Sequence, residues 1–126
     1  MATTDDLWPE NIADSKLVTP VAILKEQAAR LGEKTKQLVQ GEVTSHTTGN
    51  LFVHTFHLVA PTLGYRYELF QISHGISFYP LVVRYLNNSE SQATEAVFKE
   101  KLKTILSSQL TLNVVHSILA QVRSAS

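Results

Sequence analysis

The sequence predicts an α+β fold: an N-terminal helix, a four-stranded antiparallel meander sheet, and two C-terminal helices packed on the sheet. Three observations predict this class. Apolar residues recur with helical spacing near both ends of the chain, they alternate along the region from about residue 37 to residue 86, and turn signals divide that region into short runs. Because the strands follow one another without intervening helices, we expect them to be antiparallel.

Composition limits the size and the function classes of the protein. The chain has 126 residues, of which 44% are hydrophobic, and this fits one globular domain. Its 11 basic and 11 acidic side chains balance, which disfavours a nucleic-acid partner. The absence of cysteine excludes disulfides and cysteine-held metals. No apolar run reaches the roughly 18 residues of a membrane span, and no secretory signal is present, so we expect a cytoplasmic protein without a membrane partner.

The N-terminal part of the chain divides at about residue 18. Residues 1–18 are expected to form an irregular, acidic arm, and residues 19–126 the single domain. We expect Trp8 to dock the arm on the domain or, alternatively, to contact a partner. The first helix should begin with Thr19 as its N-cap and Pro20 in its first position, and should end at Gly32. Its apolar stripe consists of Val21, Leu24, Ala28 and Leu31.

Turn signals at residues 47–50, 61–64 and 74–75 divide the middle region into four strands. We expect Val43 opposite His54, and His57 opposite Glu68. The strand period of two then sorts the side chains into two faces. The expected core face carries Val39, Val43, Phe52, Phe56, Leu58, Tyr67, Leu69, Phe78 and Val82. The other face is polar on the first two strands but apolar on the last two, where it carries Phe70, Ile72, Tyr79, Leu81, Val83 and Tyr85.

Two helices are expected after the sheet. Ser89 and Gln92 fit a capping box, which predicts that the second helix begins there and continues to about Ser107. Its apolar stripe consists of Phe98, Leu102 and Ile105. The last helix is expected from Gln109 to Arg123, with Thr111, Val115, Ile118 and Val122 on its buried side.

The histidines are candidates for metal binding or for general-base catalysis. His54 and His57 lie three residues apart on an expected strand and so point to opposite faces, which argues against a shared metal. We read His54 as a hydrogen-bonded core residue. His57 is expected between Gln40 and Glu68, with Glu42 and Arg66 as diagonal neighbours, and a carboxylate beside a histidine can orient a general base. The alternative is a row of solvated polar pairs. No motif for a cofactor is present, and we expect neither cofactor nor metal.

The apolar residues on the second face are the other candidate functional feature. So many large apolar side chains rarely stay exposed, and the chain's own helices, a second copy or another molecule are the possible covers. The leading hypothesis is a non-catalytic interaction or regulatory module that forms a homodimer, or binds another protein, through this face. Its interface candidates are Phe70, Ile72, Tyr79, Leu81, Val83, Tyr85 and Trp8. The competing hypothesis is a small-molecule-binding protein or enzyme that uses His57, Glu68, Glu42 and Arg66.

Overall fold

A computed structural model describes residues 5–125, and within them three helices and five strands form an α+β fold. In chain order the elements are α1 (Pro20–Lys34), β1 (Gln40–Thr48), β2 (Leu51–Ala60), β3 (Tyr65–His74), β4 (Leu81–Tyr85), β5 (Asn88–Gln92), α2 (Glu95–Leu106) and α3 (Gln109–Ala125). The strands form one antiparallel meander in the order β1-β2-β3-β4-β5. The predicted α+β class is confirmed. The predicted number of four strands is wrong, because β5 adds a fifth.

Helix α1 begins as its sequence predicts and ends later. The Thr19 hydroxyl accepts a hydrogen bond from the Ala22 amide at 3.1 Å, and Pro20 occupies the first turn. The helix continues past Gly32 to Lys34, and Thr35 makes its C-terminal cap by donating its backbone N–H to the Leu31 carbonyl at 3.1 Å. Helix α1 then crosses β1 so closely that a Cβ atom on Gly41 would lie 2.5 Å from a carbon of Ala28.

Strand β5 replaces the predicted start of the second helix. Residues 88–92 pair with β4, from Tyr85 opposite Asn88 to Leu81 opposite Gln92. The helix begins only at Glu95, where Thr94 is the N-cap and its hydroxyl accepts from the Val97 amide at 3.2 Å. Two segments of the sequence could cap a helix, and the first of them instead extends the sheet. The predicted stripes of the last two helices are confirmed as buried or partly buried: Phe98, Leu102 and Ile105 on α2, and Thr111, Val115, Ile118 and Val122 on α3.

The hairpin registers follow the predicted pattern in part. The first loop is Gly49-Asn50 rather than Thr48-Gly49, so Val43 lies opposite Phe56 instead of His54. This difference is an even number of residues, which leaves the faces of β1 and β2 as predicted. The predicted turn at residues 74–75 is wrong. A six-residue connection, 75–80, joins β3 to β4 and places Phe70 opposite Tyr85.

A β-bulge between β2 and β3 changes which face the later strands bury. His57 lies opposite Glu68 as predicted, but the next pair is Phe56 with Phe70, so Leu69 is one extra residue in β3. Phe70 therefore shares a face with Phe56, and their rings stack with centroids 5.2 Å apart. Both Leu69 and Phe70 belong to the core.

Because of the bulge, the residues that were predicted to form a second apolar face point into the core instead. Phe70, Ile72, Leu81 and Val83 are buried in the core, and Tyr79 and Tyr85 are partly buried against it. The core that covers them includes residues of all three helices, among them Leu24, Phe98 and Ile118. These six interface candidates are thus covered by the chain's own helices. Val82, which was expected in the core, is exposed instead.

In the described part of the chain, no single helix is both long and apolar enough to cross a bilayer; α2 and α3 meet that requirement only as a pair bent by 51°.

Candidate functional site

The four predicted site residues lie on the open face of the sheet. His57 has Glu42 on one neighbouring strand and Glu68 on the other, so Glu42 takes the place expected for Gln40. Arg66 forms an ion pair with Glu42 at 2.6 Å, and its guanidinium lies 3.5 Å from His57 Nδ1. Because a guanidinium can only donate, His57 Nδ1 accepts this hydrogen bond. His57 is therefore held by a cation rather than oriented by a carboxylate, and a role for this set in binding or catalysis stays a prediction.

A second polar set lies on the core face, and only one of its members was singled out by the sequence. His54 is 7% exposed and His74 is 6% exposed. The Ser45 hydroxyl lies 2.7 Å from His54 Nδ1, His54 Nε2 lies 3.3 Å from His74 Nε2, and His74 Nδ1 lies 2.7 Å from the Gly75 carbonyl oxygen. The expectation that His54 is a hydrogen-bonded core residue is confirmed. We call these three side chains the Ser45–His54–His74 chain.

Three neighbouring strands position this chain. Ser45 on β1 lies directly opposite His54 on β2, and His74 on β3 lies opposite Phe52, two residues before His54. The His74 ring stacks on Phe52 with centroids 5.5 Å apart and meets the Phe78 ring edge-on at 5.8 Å. These aromatic contacts fix the plane of His74, and the sheet register sets its distance from His54.

The hydrogen bonds determine the tautomers of the two neutral histidines. A carbonyl oxygen can only accept, so His74 Nδ1 carries a proton and donates it to Gly75. In a neutral ring, His74 Nε2 is then an acceptor, and His54 Nε2 must donate to it. His54 Nδ1 is therefore left with a lone pair, which accepts the hydrogen bond of the Ser45 hydroxyl. Each of the three hydrogen bonds thus has one donor and one acceptor.

The surroundings of His54 favour its neutral form. Burial lowers the pKa of His54, and the neighbouring His74, Lys25 and His46 lower it further. The lone pair of Nδ1 is therefore free of a proton at neutral pH. His54 Nδ1 can therefore accept the proton of the Ser45 hydroxyl.

A groove lies between α1 and β1, and its lining does not include Ser45, His54 or His74. Its volume is about 450 Å³, and it extends to Val43, which precedes Ser45 by two residues on the same face. Its lining is Lys25, Ala28, Ala29, Gly32, Glu33, Gln37, Gln40, Gly41 and Val43. Across residues 5–125, no group of three or more histidines, aspartates and glutamates could hold a metal ion.

Ser45 and His74 were missed because of two separate limits of sequence reasoning. Ser45 lies on a strand rich in serine and threonine, where nothing in the pattern distinguishes it. His74 was assigned to a turn, and the bulge that brings β3 residues after Leu69 to the core face was not predicted. The alternation along the strands could have indicated the pair. Ser45 lies two residues after the core residue Val43 on β1, and His54 lies two residues before the core residue Phe56 on β2, so both point to the core face.

The N-terminal arm, residues 5–18, contains neither helix nor strand, and residues 1–4 of the predicted arm lie outside the described part of the chain. Trp8 does not dock on the domain: its side chain is 71% exposed. Leu7, Ile12, Leu17 and Val18 are also exposed. Of the predicted interface candidates, Trp8 alone is thus largely open to solvent.

The chain matches no protein-family model, no curated protein and no solved structure at a significant level.

Proposed function

We propose that this protein is an interaction module that self-associates through its N-terminal arm. The supporting observation is the exposure of five large apolar side chains within twelve residues. Leu7, Trp8, Ile12, Leu17 and Val18 are 86%, 71%, 60%, 74% and 54% exposed. Several large apolar side chains left exposed in one short segment favour an interaction site, and tryptophan is enriched among the residues that dominate binding energy. The aromatic set first expected to serve as the interface is buried, so the arm takes that role here.

Charge indicates a second copy of the chain as the partner. The arm has four acidic residues, Asp5, Asp6, Glu10 and Asp14, and one basic residue, Lys16. The whole chain has 11 basic and 11 acidic side chains, so 10 basic and 7 acidic ones lie outside the arm. An arm of net charge −3 and a domain of net charge +3 attract each other between molecules. A cytoplasmic location stays a prediction from the sequence.

Trp8 allows a direct test, because it is the only tryptophan in the chain and its fluorescence reports on the arm alone. We expect the emission to shift to shorter wavelength as the concentration rises through the micromolar range, in step with dimer formation measured by sedimentation equilibrium. Trp8→Ala should weaken the dimer by about 30-fold, as a 2 kcal/mol anchor would. Added salt should also weaken it, because the two charged parts are then screened.

Ile76 provides the matched control. It is 82% exposed in the connection between β3 and β4, outside the arm, so Ile76→Ala removes an equally exposed apolar side chain. This variant should dimerise like the unaltered protein. A chain that stays monomeric up to high micromolar concentration, or a dimer that Ile76→Ala weakens as much as Trp8→Ala does, contradicts the proposal.

A further inference from the structure

We propose that Ser45 is a nucleophile that accepts an acyl group from an activated carboxylic ester, with His54 as its general base and His74 as a positioning residue. This modification site belongs to the domain and does not depend on the arm. Its geometry is that of a nucleophile, a base and a third group that orients the base. The hydroxyl-to-base distance is 2.7 Å and the base-to-orienting-group distance is 3.3 Å.

The direction of the hydrogen bonds is what makes His54 a base. The Gly75 carbonyl fixes the proton of His74 on Nδ1, and His74 in turn fixes the proton of His54 on Nε2. The lone pair on His54 Nδ1 then points at the hydroxyl that it would deprotonate. A serine hydrogen-bonded to a backbone carbonyl, as Ser107 is to Lys103, has no such base.

Access and charge also favour the reaction. Ser45 is exposed, whereas both histidines are buried, so a reagent can reach the hydroxyl while water is largely kept from the imidazoles. The groove that reaches Val43, two residues before Ser45 on the same face of β1, has an apolar wall of Ala28, Ala29 and Val43 that suits a short acyl chain. Lys25 also lines this groove, and its charge acts on His54, which makes it the cation available to the developing oxyanion.

The reaction is an acyl transfer followed by hydrolysis. Ser45 Oγ bonds to the ester carbonyl carbon while its proton passes to His54 Nδ1. The ester C–O bond then breaks, and the leaving alcohol takes the bonding electron pair and the proton from His54. Water later adds to the acyl group, which releases the carboxylic acid and returns the hydroxyl to Ser45. No oxidant, reductant or metal enters this sequence.

The test uses p-nitrophenyl acetate and the full-length protein. Release of p-nitrophenolate gives the rate, and peptide mapping by mass spectrometry locates the acetyl group. We expect acetyl on Ser45 and none on that peptide in Ser45→Ala. His54→Gln should lower the rate of Ser45 acetylation by about a hundredfold, the contribution of a positioned general base. His116→Gln is the matched control, because His116 is exposed on α3, away from the chain of hydrogen bonds, and its loss should leave the rate unchanged.

The pH profile separates a base from a merely structural histidine, and it needs no variant that folds poorly. The rate at Ser45 should fall on the acid side with a midpoint below about 6.5, because the pKa of His54 is lowered by burial, His74, Lys25 and His46. In His74→Gln that midpoint should move to higher pH, since one of these causes is removed. Acetylation of other residues in preference to Ser45, an unchanged rate in folded His54→Gln, or a rate that keeps rising tenfold per pH unit from pH 5 to pH 8 would overturn the proposal.

Discussion

At the scale of single residues, the burial of Tyr79 is poorly compensated. Its ring packs against Phe98, with centroids 6.3 Å apart, but its hydroxyl is buried and finds no hydrogen-bond partner among the described residues. Burial raises the pKa of Tyr79, and nearby Glu95 raises it further, so the group stays a neutral phenol. A buried hydroxyl without a partner costs free energy because it has given up its bond to water.

We therefore expect Tyr79→Phe to raise the free energy of unfolding by about 1 kcal/mol. Tyr85→Phe is the matched control, since the Tyr85 hydroxyl lies 3.0 Å from the Ser108 hydroxyl and its removal should cost about 1 kcal/mol. Urea unfolding followed by circular dichroism measures both. If Tyr79→Phe destabilises the protein as much as Tyr85→Phe does, then the Tyr79 hydroxyl has a partner in solution.

At the scale of elements, the bulge in β3 decides how the sheet is used. It places the Phe70 ring against the Phe56 ring at an interplanar angle of 8°. Each Phe→Ala change alone should cost roughly 3–5 kcal/mol, because Phe56 is 1% and Phe70 is 2% exposed. The double variant should show a coupling energy of about 0.5–1.5 kcal/mol, as stacked rings do. Strictly additive effects would place the two rings on opposite faces, which is the arrangement without the bulge.

The elements also show what the sequence could and could not predict. Helices α1, α2 and α3 were predicted because their apolar stripes are local features, as the run Phe98, Leu102, Ile105 illustrates. The Thr19 cap also gave the start of α1, whereas the start of α2 was wrongly placed at Ser89. The bulge left no mark, because Leu69 and Phe70 are both apolar and either phase of the alternation fits them. Strand β5 is polar and is extended because it pairs with β4, so its own sequence shows no alternation that would predict a strand.

The same limits apply to the candidate sites. The pairing of His57 with Glu68 was predicted, because it depends only on the tight turn at residues 61–64. The Ser45–His54–His74 chain was not, because it requires the relative phase of three strands, and the bulge changes that phase. Cross-strand pairs are therefore readable from the sequence only where the turn of the hairpin is identified correctly, as at residues 61–64. In the first hairpin the loop was misplaced by one residue, so Ser45 was not placed opposite His54, and His74 additionally needs the bulge.

At the scale of the whole molecule, His54 links the stability of the fold to pH. It lies on β2, between β1 and β3, so protonating it opposes the packing of both neighbouring strands. Its pKa in the folded protein is lower than the value of about 6.5 that it regains on unfolding. The unfolded chain therefore binds more protons in acid, and the stability that neutral His54 provides is full above about pH 6.5 and is lost as the pH falls through the folded pKa.

We expect the free energy of unfolding to fall between about pH 6.5 and pH 5, by at most about 1.4 kcal/mol per pH unit for the one proton involved. Urea unfolding at a series of pH values measures this slope. His54→Gln should flatten it whatever the variant's absolute stability, because glutamine does not titrate, while His116→Gln should keep it, since that exposed side chain meets water in both states. The window lies above the range in which ordinary carboxylates take up protons, so their contribution to the slope is small there. A stability that is level or rising from pH 7 down to pH 5, or a slope that survives unchanged in His54→Gln, would show that the proton is taken up elsewhere.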